Sequence, residues 1–170
     1  MEIVRLEVAG HDWKSLRCGC GRSAKHLGKD LLSLARAETD AEAERIALEG
    51  HVWQPSVVFE PALPVVSVAL AALADNASPA ARFIFLETLL FLVGDNGQTG
   101  ELARQGRDLP AECVAAAQSG IWLLYREVFS GATVGASSYA YEILTIIDEG
   151  SDRLDRVKAA PCARLRFDLR

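Results

Sequence analysis

Apolar residues recur along most of this chain at spacings of three and four, the periodicity of helices that bury one face. Ala24, Leu27, Leu31 and Leu34 form one such stripe behind Ser23, a residue type that caps helix starts. Thr39 opens the next segment with Glu42 three residues on, the reciprocal arrangement of a capping box, and Ala43, Ile46 and Ala47 give it an inner face up to Gly50. After a connection around His51 and Trp53, a long apolar helix runs to about residue 75, with Pro64 in its first turn or kinking it. Ser78 and Pro79 start another that Gly94 stops. In it Phe83, Leu86, Leu89, Leu90 and Val93 make one wide stripe, while Ile84, Phe85 and Phe91 make the remaining face apolar too. A helix apolar nearly all round is covered on several sides, which places this one at the centre. Pro110 opens a helix to about residue 129 with Cys113, Ala117, Gly120 or Ile121, Leu124 and Val128 inward, and a last long helix spans about 134–149 around Ala140, Leu144 and Ile147.

The two ends follow a different rhythm. Val4, Leu6 and Val8 alternate with Arg5 and Glu7, and Leu165, Phe167 and Leu169 alternate with Arg164, Arg166, Asp168 and Arg170. Period two is the signature of a half-buried strand, so the termini are expected either to pair as a small two-stranded ribbon against a helix or to trail as loosely ordered tails. The internal helices fall into pairs, 23–49, 57–94 and 110–149, and residues 95–110 form the one long polar, glycine-rich connection. The expected fold is therefore all-α, a single domain over residues 1–170 of antiparallel helix pairs, stacked either as an α-solenoid or as an irregular bundle, with the termini able to form a small two-stranded ribbon.

Composition narrows the function classes. With 170 residues, half of them apolar, the chain is large enough for one core. Its 18 basic against 23 acidic side chains give a net charge of −5, which repels phosphate and disfavours a general nucleic-acid binder. The uncharged run from 61 to 74 is too short to span a bilayer, and the first residues lack the basic-then-apolar pattern of a secretory leader, so a cytoplasmic protein with free thiols at Cys18, Cys20, Cys113 and Cys162 is expected.

The run from Cys20 to the helix ending at Gly94, with Trp13 upstream, resembles the HEAT-like repeat proteins common in actinobacteria. The landmarks that carry the likeness are Trp13, Cys20 to Ala24, His51 and Leu63 to Val65; residues 112–128 resemble a further helix of the same array. Arg22 is an insertion relative to that pattern, Val52 and Trp53 replace a Gln-Gly pair, and Pro61 is a second proline. The resemblance implies a short HEAT-like α-solenoid of antiparallel helix pairs that works as a protein-binding module, and some relatives are immunity-like proteins that neutralise a polymorphic toxin by binding it. It also brings in a HEAT-like class of DNA glycosylases, for which only the segment 153–170, with six Lys or Arg against two Asp, has the right charge.

Candidate chemistry centres on "CGCGRSAKH". His11, Cys18, Cys20 and His26 are zinc-type donors, yet structural sites usually separate paired cysteines by two to four residues, and here only Gly19 intervenes. The spacing favours a glycine turn that launches the first helix, so no metal and no cofactor is expected. His51 reads as a cap or a packing group beside Trp53, and three histidines assemble no catalytic triad, so no catalytic residue is expected either. The acidic side chains point elsewhere. Glu38, Asp40, Glu42, Glu44 and Glu49 fall within twelve residues against Arg45 alone, and Glu142, Asp148, Glu149, Asp152 and Asp155 make a second group. Each reads as a solvated helix face or, with aromatic anchors, as a surface for a basic partner. The partner-binding residues expected on that reading are Glu42, Glu49, Trp53, Trp122, Tyr125, Tyr139, Tyr141 and Glu142. The function expected is a non-enzymatic immunity protein against a basic toxin domain, with a scaffold or adaptor as the alternative.

Overall fold

A computed structural model describes residues 1–75, 77–94, 97–130, 133–160 and 165–169. The described chain is mostly helical, with one small antiparallel sheet. Among these residues no helix is long and apolar enough to cross a membrane.

The amino-terminal segment is a helix, α1 (Glu2–Ala9), not the strand that its alternation suggests. Val4 and Val8 lie four apart and are both buried, which satisfies either period; Leu6, the residue between them, is 75% exposed. The Asp75 carboxylate accepts the amide of Ile3 at 3.2 Å and so satisfies a donor that the first helical turn leaves free. Trp13 then folds back, its indole donating to the Val8 carbonyl at 2.8 Å, and rests on Gly28 of α2 (Lys25–Arg36), where a Cβ would lie 3.1 Å from the ring. Leu27, Leu31 and Leu34 of α2 are buried as the stripe predicts. Ala24, not Ser23, occupies its cap position, because Ser23 is held in a bridge with Arg17 that closes the cysteine turn.

Thr39 forms its capping box with Glu42, but α3 (Asp40–Ala43) lasts a single turn. The chain then bends through Gly50, at φ +76°, into a ribbon of β1 (Trp53–Gln54) and β2 (Val57–Val58), paired Trp53 to Val58 and Gln54 to Val57. This ribbon lies inside the chain, not at its ends; the carboxy-terminal residues 167–169 form a 3₁₀ turn, and Arg164, Arg170 and Cys162 lie outside the described residues.

Pro64 sits in the first turn of α4 (Ala62–Ala74), and the Ser78 hydroxyl accepts the Ala81 amide at 3.1 Å to start α5 (Pro79–Gly94). Phe85, Leu86, Leu89 and Leu92 are wholly buried, and α5 packs against α2, α3, α4 and, later in the chain, α7 and α9, which makes it the central helix. The polar connection holds a short helix, α6 (Gly100–Arg104). The expected helix from Pro110 is two, α7 (Leu109–Gln118) and α8 (Ile121–Ser130), broken where Gly120 meets Leu70; a Cβ there would lie 2.4 Å from Leu70 Cδ2. α9 (Val134–Ile147) packs on α8 and α5, and α10 (Asp152–Ala159) follows.

A polar rivet joins three of these helices. Arg82 of α5 donates to the carbonyls of Leu73, Asp75 and Ala77 at the end of α4 and to buried Glu127 of α8 at 2.5 Å. Arg126 donates to the same Leu73 carbonyl. Carbonyls at a helix end lack partners within the helix, so the guanidinium both terminates α4 and neutralises a buried carboxylate.

Candidate metal centre

The cysteine turn is built from backbone hydrogen bonds. The Cys18 amide donates to the Arg22 carbonyl at 2.8 Å and the Gly21 amide to the Cys18 carbonyl at 2.9 Å, with Gly21 at φ +80°, a conformation costly for any side chain. The Gly19 amide donates to the His51 carbonyl at 2.9 Å and ties this turn to the chain entering β1. Ala24 closes it from the far side, donating to Leu16.

That folding brings together Cys18, Cys20, His26 and His51, whose donor atoms all lie within 4.8 Å of one another. Cys18 Sγ is 3.2 Å from His51 Nδ1 and 3.8 Å from His26 Nε2, and the two ring nitrogens are 3.1 Å apart. The rings meet edge to face, with centroids 4.9 Å apart. Cys18 is buried, the histidines are half-buried and Cys20 is exposed. Burial pushes the Cys18 thiol up, whereas the backbone at Arg22, followed by Cys18 itself, pulls the Cys20 thiol down to about 6. Among the described residues this is the group with metal-ligand geometry.

Three of the four donors considered from the sequence are therefore in the cluster. His11 is not: its Nε2 pairs with Glu7 Oε1 at 3.0 Å, and its ring sits edge-on to Trp13. His51 takes its place, a residue whose approach no local spacing announces. The short interval between the cysteines does not keep their sulfurs apart, because Gly19 packs flat against Phe59 and Gly50 and lets the turn close tightly.

No family model, characterised protein or solved structure matches this chain.

The residues expected to bind a partner are dispersed. Glu42 and Glu49 are exposed, although the Glu42 carboxylate is engaged by the amides of Glu38 and Thr39, which hold it below the usual carboxylate range. Trp122 is 67% exposed. Tyr125 and Tyr141 are core residues, at 6% and 2% exposure, so they support packing and offer little to a partner. Tyr139 is half-buried and donates to Glu87, Glu142 is held by Arg166, and Trp53 is stacked on Phe91 with centroids 4.0 Å apart. The spacing of these aromatics along α8 and α9 does not by itself show which side of each helix faces the core.

One surface feature brings acidic and apolar groups together. Asp40 and Glu44 of the α3 segment border a cleft of about 510 Å³ whose floor includes Phe83 and Ile84 of α5, with Thr133 and Gly135 at the start of α9 opposite. A second groove, of about 500 Å³, runs between α8 and α10 along Trp122, Phe129 and Val157 and is bordered by Arg153 and Arg156.

Proposed function

We propose that this protein acts by binding another protein and carries out no reaction of its own, most specifically as an immunity protein that neutralises a basic toxin domain by occluding it. The observation that carries the reading is the cleft between α3, α5 and α9. Two carboxylates over an aromatic and aliphatic floor suit a lysine or arginine side chain, whose stem packs on apolar surface while its charge meets Asp40 and Glu44. The exposed Glu38, Glu42 and Glu49 extend the same negative field, and the net charge of −5 adds long-range steering toward a basic partner. The resemblance to HEAT-like proteins supports the same reading, with the helices stacked as a short solenoid and the cleft on one of its faces. The four-donor cluster serves to hold the chain: an ion with four protein ligands keeps no open position for a substrate.

Co-expression with the product of the adjacent gene tests the proposal. A complex is expected that protects the host, weakens as salt rises, and loses at least about tenfold in affinity when Asp40 and Glu44 are both changed to Lys. No complex and no protection would refute it. Several weak partners in place of one tight one would favour a scaffold.

A further inference from the structure

Cys18, Cys20, His26 and His51 bring their donor atoms within 4.8 Å of one another from two stretches of chain, the cysteine turn with the first turn of α2 and the bend before β1. Hydrogen bonding alone does not account for their approach. Each ring nitrogen offers one proton or one lone pair, so His51 Nδ1 can bond one neighbour, yet it lies 3.2 Å from Cys18 Sγ and 3.1 Å from His26 Nε2. The third side, Cys18 Sγ to His26 Nε2, is longer at 3.8 Å, and the Cys18 thiol also lies 3.4 Å from the His51 carbonyl. A cation at the centre resolves this, because it takes a lone pair from every atom at once. A tetrahedral ion with Zn–S of about 2.3 Å and Zn–N of about 2.0–2.1 Å holds sulfur and nitrogen about 3.5 Å apart and two nitrogens about 3.3 Å apart. The observed sulfur–nitrogen separations bracket the first value, and the nitrogen pair lies close to the second.

We infer that this cluster is a structural zinc site in which Cys18 and Cys20 bind as thiolates, His26 through Nε2 and His51 through Nδ1. Two thiolates and two imidazoles in a tetrahedron are the donor set of zinc, and calcium or magnesium, which take oxygen ligands, are excluded by it. The thiolate pair cancels the charge of the ion, so a half-buried position costs little electrostatically. Cys20, the exposed member of the set, supplies the solvent-facing ligand. Binding closes the loop between Cys18 and His51 and fixes the turn, α2 and the ribbon as one unit. The site does not depend on the partner reading: a zinc-loaded chain without a partner would remove that reading and leave this one, and a zinc-free chain that binds would do the reverse.

The full-length protein, expressed with zinc in the medium and desalted, is expected to retain about one zinc per chain. Replacing zinc by cobalt should give the strong visible bands of a tetrahedral ion and the near-ultraviolet absorption of cobalt–thiolate bonds. Cys20→Ser, at an exposed position, is expected to keep the helical circular dichroism while lowering zinc affinity at least about tenfold. A chelator should make two further thiols reactive toward maleimide, mapped to Cys18 and Cys20. Wild-type protein that retains no zinc and gives only the weak spectrum of octahedral cobalt would overturn the inference, and that result stands whether or not the serine variant folds.

Discussion

Gly19→Ala links the packing of the cysteine turn to the proposed metal. A Cβ on Gly19 would lie 2.4 and 2.5 Å from Phe59 Cε2 and Cδ2 and 2.6 Å from the Gly50 carbonyl oxygen. Carbon–carbon contacts relax near 3.5 Å and carbon–oxygen contacts near 3.3 Å, so the ring must retreat by about 1 Å and the Gly50 carbonyl by about 0.7 Å. Over-packing of this kind costs about 1–3 kcal/mol, and weakening the bond from the Gly19 amide to His51 adds about 1 kcal/mol. The larger consequence falls on His51, whose backbone follows Gly50: metal–ligand bonds tolerate about 0.2 Å, well below the displacement required. Urea unfolding followed by far-ultraviolet circular dichroism, in equimolar zinc and in chelator, reads both effects. The parent should gain about 3 kcal/mol from zinc at a hundredfold excess over its dissociation constant. Gly19→Ala should lose that gain and a further 2–4 kcal/mol or so in chelator. Gly21→Ala is the control, since φ of +80° strains the backbone but no atom lies within 4 Å, and it should cost only about 1–2 kcal/mol. A Gly19→Ala protein with both the parent's stability and its zinc gain would show that the contact with Phe59 and Gly50 does not hold the site.

Arg82→Ala leaves Glu127 buried without its main counter-charge and strips the end of α4, so it should destabilise by about 3–5 kcal/mol and lower the melting temperature by roughly 6–20 °C, measured by calorimetry. An unchanged melting temperature would mean that Glu127 finds water. Tyr125 donates to Asp148 at 2.6 Å, and burial followed by that carboxylate raises its pKa to about 12. The native state therefore favours the protonated phenol: its contribution is complete below the unfolded value near 10 and is lost as pH rises toward about 12. Burial, followed by Glu87, raises Tyr139 as well, so difference absorption at 295 nm should show late-ionising tyrosine whose amplitude falls, without vanishing, in Tyr125→Phe.

Much of the helical framework is legible in the sequence, because long stripes such as Leu27, Leu31 and Leu34 and caps such as Thr39 and Ser78 act over a few residues. Departures arise where distant residues decide. Val4 and Val8 suit a strand or a helix equally, and Asp75, 72 residues beyond Ile3, helps to settle the matter. The break at Gly120 depends on Leu70. The same logic governs the candidate site. Cys18, Cys20 and His26 stand out as donors in the sequence, but His51 joins them only through the bend at Gly50 and the bond from Gly19, so a rule based on spacing within one stretch undervalues the set.

The ribbon at 53–58 has a consequence for how events at the cysteine turn spread. Its residues share hydrogen bonds with two separate stretches, Gly50 donating to Trp53 and Val58 to Gly97 in the connection that precedes α6, while Phe59 donates to Val52 across its base. A disturbance at His51 thus has a short through-backbone path to a segment more than forty residues downstream, and amide exchange at Val58 should report the condition of the thiol cluster without any probe placed upon it.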